Sequence, residues 1–156
     1  MHMAYAVIRV RGQVNVKRDI QDTMHMLNLT RVNHCVIVPE MDTVKGMLNK
    51  VKDYVTWGEI SEQNLARMIK FKGRLEGNVP VDDNYVIENS EFTSIMSLSR
   101  GIVSGEYRYN DLERVKPLFR MDPPRKGYEG IKRSFKNGGA LGYRGESIND
   151  LIERML

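Results

Sequence analysis

Between Asp122 and Gly145 the chain reads DPPRKGYEGIKRSFKNGGALGYRG, a set of residue types suited to holding a polyanion. Arg125, Lys126, Lys132, Arg133, Lys136 and Arg144 can neutralise phosphates. Tyr128, Phe135 and Tyr143 supply rings that can stack on unpaired bases or sugars. Prolines restrict the path, which lowers the entropy lost on binding, and glycines let backbone approach a phosphate closely. A nucleic-acid arm fits this pattern best; a protein-binding arm or a solvated loop would carry the same composition.

A second candidate lies near the N-terminus. Arg9 and Arg11 fall on the polar side of an alternating segment, and Lys17 and Arg18 follow Gly12 at the start of a helical pattern. Cations beside a helix N-terminus favour phosphate, although a solvated face explains them equally well. Lys45, Lys50 and Lys52 read as solubilising, and Trp57 reads as sheet or core packing before base stacking.

Other chemistries find little support. Gly139, Gly142 and Gly145 do not have the spacing of a dinucleotide loop, and no Gly-Lys-Ser/Thr ending occurs. Gly127 and Gly130 share only their two glycines with a KH loop. His2, His25 and His34 are scattered, and Cys35 points away from His34 if both lie on a strand, so no metal or nucleophile set forms. No catalytic residue, cofactor or small-molecule substrate is called for. Ten methionines spread over helical stripes read as core filler.

A chain of 156 residues is about one domain, with 41% hydrophobic and 28% charged residues. Its formal net charge of +4 is modest, but the charge is segregated. Residues 76–113 hold eight acids against two bases, whereas residues 114–145 hold nine bases against two acids. One cysteine excludes an intramolecular disulfide, no run approaches the ~18 apolar residues of a membrane span, and the opening residues lack a signal-peptide pattern. A reducing cytoplasm is the expected setting.

The elements that must position these groups follow from hydrophobic period. Ala4, Ala6, Ile8 and Val10 alternate with Tyr5, Val7, Arg9 and Arg11, as in a strand with one wet face. Ile20, Met24 and Leu27 mark a helix over 17–27, and the β-branched run His34–Val38 marks a strand stopped by Pro39. Asp42 is the expected cap of a helix with Val44, Met47, Leu48 and Val51 on one side, and Thr56–Ile60 is a short closing strand. Such a βαβαβ unit covers one face of a three-stranded sheet with two helices, giving two layers. Ser61 caps a further helix, residues 77–85 read as a loop, and Ser90 opens a helix that Gly101 weakens by ~1 kcal/mol. Ser147 caps a terminal helix on Ile148, Leu151, Ile152 and Met155. The expected division is a core at 1–60, helices packed on it at 61–115, and a basic extension with terminal helix at 116–156.

Several separated words then occur in order: RGQVNVKRDIQDTMHMLN from Arg11, VNHCVIVP from Val32, GMLNKV from Gly46, PPRKG from Pro123 and GGALGYRG from Gly138. Together they resemble the archaeal members of the L-thirty family of large-subunit ribosomal proteins, over essentially the whole chain. Where that family's tail often carries proline, this chain has Ser134. The resemblance implies an α+β fold with a ferredoxin-like βαβαβ core and an antiparallel three-stranded sheet. Added helices and the basic Pro/Gly-rich extension complete it, without the long basic N-terminal extension of eukaryotic members. It also implies binding to large-subunit ribosomal RNA, near the 5S ribosomal RNA, among neighbouring ribosomal proteins, with no chemistry of its own.

Overall fold

The computed structural model describes residues 4–156, so His2 lies outside the described residues. Five strands build the main sheet: β1 (Ala4–Arg9), β2 (His34–Pro39), β3 (Val55–Glu59), β6 (Phe119–Arg120) and β7 (Gly142–Tyr143), in the order β6-β2-β1-β3-β7. The three long strands are antiparallel, with Val7 opposite Val36 on one side and Trp57 on the other. β6 extends the sheet antiparallel to β2, and β7 runs parallel to β3. The sheet is therefore five-stranded and mixed, wider than the three antiparallel strands expected.

Helices lie on both of its faces. Tyr5, Val7, Val36 and Val55 pack with Met24 of α1 (Arg18–Met26), Leu48 of α2 (Asp42–Lys50) and Val51. Ala4, Ala6, Ile8, Cys35 and Phe119 pack instead with α3 (Glu62–Lys72), α5 (Ile95–Val103) and α6 (Ile148–Met155). Every residue of β1 is buried, which corrects the wet face expected from its alternation and makes three layers of the expected two. Alternation assigns side chains to opposite faces, but cannot reveal that distant helices cover the second.

Local chemistry explains several boundaries. Ser61 accepts from Asn64 N at 3.2 Å and caps α3 as expected. Asp42 is the first residue of α2 with Met41 at the cap, so its carboxylate meets the positive helix end without capping it. The expected loop at 77–85 holds the turn and second strand of a hairpin, β4 (Arg74–Leu75) with β5 (Val79–Pro80), and then the start of α4 (Asp83–Asn89). Gly77 and Asn78 turn that hairpin with positive φ, and Asp82 caps α4 by accepting from Tyr85 N at 2.8 Å. Ser90 closes α4, whereas Ser94 opens α5 through a capping box with Ser97. Gly101 in α5 has a steric reason: a Cβ there would lie 2.4 Å from Phe92 Cζ. A 3-10 turn at Gly145–Ser147 leads into α6, and the Ser147 side chain makes no cap bond.

Residues 116–147 are built into the body. Met121 N donates to Asn33 O, Asp122 N to Met155 O and Arg125 N to Arg154 O, after which β7 returns the chain to the sheet. Asn149 staples the ends: its Oδ1 accepts from Ser61 N at 2.9 Å, and its Nδ2 donates to Glu59 O at 3.1 Å. Among the described residues no helix is long and apolar enough to cross a membrane.

Candidate nucleic-acid interface

The end of the sheet formed by the C-terminus of β1 and the N-termini of β2 and β3 carries a small satellite core in which Val10 meets Ala140, Leu141 and the ring of Tyr128. The two candidate regions of the sequence, strand-one corner and basic segment, thus come together at one end of the sheet. Backbone bonds pin the loop above it. Ala140 N donates to Gly130 O, Leu141 N to Arg133 O, Phe135 N to Leu141 O and Gly139 N to Ser134 O, at 2.7 to 3.1 Å. A Cβ on Gly139 would lie 2.1 Å from Arg133 O, so only glycine permits that approach.

Two expected contact residues, Arg9 and Arg144, are enclosed by this construction, and a third, Tyr128, is half-buried. Arg9, 3% exposed, donates through Nη1 to Leu29 O at 2.8 Å and through Nε to Arg11 O at 2.9 Å. Arg144, 6% exposed, donates through Nε to Thr56 Oγ1 and through Nη2 to Ala140 O, both at 2.8 Å, with its guanidinium over the Phe135 ring. Tyr128 donates from its hydroxyl to Asn33 Oδ1 at 2.6 Å. The planar five-donor fork of arginine suits such buried carbonyls. Burial lowers the pKa of both arginines and raises that of the Tyr128 phenol. Arg9, Tyr128 and Arg144 hold the platform together; Arg9 and Arg144 are buried where they were expected to face outward, and Tyr128 is half-buried.

Arg125, Lys126, Lys132, Arg133, Phe135 and Lys136 are exposed. Lys126 and Gly127 have φ of 67° and 71° in a turn closed by Gly127 N donating to Pro124 O, which puts Lys126 at the tip. Arg125 Nη2 donates to Glu153 O at 2.9 Å, fixing its base against α6. The two acids of the segment are already engaged. Asp122 lies 3.0 Å from Lys72 Nζ, and Glu129 lies 3.3 Å from Arg154 Nη2. Among the described residues Lys126, Lys132, Arg133 and Lys136 pair with no carboxylate.

The remaining candidates are placed differently. Arg11 is half-buried, with its guanidinium 5.1 Å from the centre of the Tyr54 ring. Lys17 and Arg18 are exposed at the start of α1, but Asp19 already brings a carboxylate to that helix end, accepting from Ile20 N at 2.9 Å. Tyr143 stands on edge strand β7, half exposed, against Trp57 and edge-on to Tyr5. Its hydroxyl donates to Glu59 Oε1 at 2.5 Å, which pushes the Tyr143 pKa up to about 12. Trp57 packs against the α1 and α2 side of the sheet, as expected.

Reading along the chain missed the groups that the fold adds to this face. Asn33, in the left-handed region with φ of 69°, receives Tyr128; the Val32-Asn33 turn before a β-branched run was the available signal. Beside it, His34 is held neutral to lower pH by burial and by Arg120, Arg31 and Arg9. Cys35 is a buried free thiol whose pKa burial raises, and no group of three His, Cys, Asp or Glu among the described residues could hold a metal.

A three-layer α+β body carrying a rigid, glycine-shaped loop of unpaired cations defines a binding scaffold with a cationic face. The family described as ribosomal protein L30p/L7e matches residues 5–55, from β1 to the start of β3. Relatives extend the match beyond that core. The large ribosomal subunit protein uL30 of Methanosphaera stadtmanae is 50% identical over 152 residues, covering 97% of this chain and 99% of the relative. That of Methanobrevibacter smithii is 51% identical over 152 residues, with 97% and 99% covered. That of Methanopyrus kandleri is 50% identical over 149 residues, with 94% and 100% covered. The chain belongs to this L30p/L7e family of ribosomal proteins, in its archaeal form.

Proposed function

We propose that this chain is a structural, non-catalytic constituent of the cytoplasmic large ribosomal subunit, gripping folded ribosomal RNA through the cationic face at the end of its sheet. Arg125, Lys126, Lys132, Arg133 and Lys136 meet phosphates, Phe135 and Tyr143 offer ring faces, and Arg11, Lys17 and Arg18 flank the contact. Arg9, Tyr128 and Arg144 act from beneath by fixing the loop. Recognition is of shape and phosphate position, as is usual for folded RNA. The ferredoxin-like 1–60 unit, the helices of 61–115 and the 116–156 extension work as one scaffold, with the 5S ribosomal RNA and neighbouring ribosomal proteins nearby.

One observation carries this reading. Asp122 and Glu129 are paired away while four exposed cations on a backbone-pinned segment keep no acid partner. The test is the affinity of the full chain for a large-subunit ribosomal RNA transcript across a salt series. Each phosphate neutralised adds about 0.7 to 0.9 to the slope of log affinity against log salt. The variant R125Q/K126Q/K132Q/R133Q is expected to lose about 3 from that slope if each cation holds one phosphate. Its melting temperature should stay near that of the unaltered chain. A salt-independent affinity of the unaltered chain would overturn the phosphate grip.

A further inference from the structure

A second cationic feature lies at the β6 edge of the sheet, outside the segment described above. Lys72 from the end of α3, Arg74 from β4, Asn78 from the hairpin turn, Lys116 and Leu118 from the segment leading into β6, and Arg120 from β6 line a cleft of about 290 Å³. Four cations come from two separate stretches of sequence, and among the described residues no carboxylate lines the cleft. Among the described residues Asp122, at 3.0 Å from Lys72 Nζ, is the one acid paired there, and it is largely exposed.

Backbone pairing holds these positions. Lys116 N donates to Arg74 O at 2.8 Å, Glu76 N to Arg114 O at 2.9 Å, and Val81 N to Gly73 O at 3.2 Å. β6 is clamped to β2 through His34 opposite Arg120. Like charges gathered on a fixed frame repel one another, and the field they raise attracts a polyanion. Arg120 and Arg31, after burial, also lower the pKa of His34. Asn33, next to His34, accepts from Met121 N through its carbonyl and from Tyr128 through its side chain. Asn33, on the turn before β2, thus ties the end of β6 to the basic segment.

We propose that this cleft is a second RNA phosphate site, in which Arg74, Lys116 and Arg120 hold consecutive phosphates and the Asn78 amide adds a neutral donor. It rests on the reading that the chain binds ribosomal RNA. The test compares the full chain, R74Q/K116Q/R120Q, the charge-preserving R74K/K116R/R120K and the loop variant R125Q/K126Q/K132Q/R133Q. The probe is the same transcript over the same salt series. Loss of three phosphates should lower the slope by about 2.1 to 2.7 and weaken binding at least tenfold at low salt, with the charge-preserving variant keeping its slope. An unchanged slope in R74Q/K116Q/R120Q, with the loop variant impaired, would overturn the cleft alone. A flat response from the unaltered chain would remove the RNA reading and the cleft with it. Acetylation of Lys116 in the unaltered protein needs no variant to fold. Protection by the transcript is expected, and equal modification with and without RNA would overturn the proposal.

Discussion

Arg144 shows how a cation in a basic segment can serve the fold before it serves a ligand. Its guanidinium ties β3, through Thr56, to the loop carbonyl of Ala140 and stacks on Phe135. Arg144→Ala should cost about 3 kcal/mol in chemical denaturation, because charged hydrogen bonds are lost and buried acceptors are left unpaired. Arg144→Lys should recover little of this, since an ammonium cannot reproduce the fork. His34 gives a pH signature. Its folded pKa lies below the ordinary 6.5, through burial first and then Arg120, Arg31 and Arg9, so the unfolded chain takes up the proton first as pH falls. Its contribution is complete above about pH 6.5 and is lost as pH drops below that value towards the folded pKa. Denaturation midpoints between pH 5 and 7 should fall less steeply with acid in His34→Gln, and an unchanged slope would refute this assignment.

At the scale of elements, close backbone approaches decide where side chains are tolerated. Gly58 in β3 passes Gly145 so closely that a Cβ would lie 1.9 Å from its carbonyl oxygen. Gly58→Ala should therefore cost about 3 kcal/mol and loosen β7, which a melting curve with tyrosine fluorescence reads directly. The loop itself is expected to be ordered without RNA. The amides of Phe135, Gly139, Ala140 and Leu141, each bonded to a backbone carbonyl, should exchange slowly in the free protein; random-coil exchange would show an arm that folds only on binding. The first five elements are legible in the sequence because the hydrophobic period is clear there. β6 and β7 are not, since two residues carry no period, and each exists only through pairing with a strand more than eighty positions away. The hairpin and α4 were hidden for a related reason. Asp82, Asp83 and Asn84 look like breakers until Asp82 is seen to cap a helix.

For the whole molecule, two cores lie back to back on one sheet, and residues from all three segments of the chain share the larger of them. Composition announced a basic C-terminal region correctly, yet treated it as an appendage; the backbone bonds of Met121, Asp122 and Arg125 make it part of the body. Counting charge along the chain found the 114–145 excess, but could not join Lys72 and Arg74 to Lys116 and Arg120, which only the fold brings together. A preformed face spares the ordering entropy that a disordered arm would lose on binding, so affinity should follow salt closely and temperature weakly. A density map of the large ribosomal subunit containing this chain tests the central claim most directly. The expected result is ribosomal RNA phosphates within hydrogen-bonding reach of Lys126, Lys132 and Arg133, with Arg9 and Arg144 still enclosed. A map in which those three side chains face solvent or a protein neighbour, with RNA elsewhere, would contradict it.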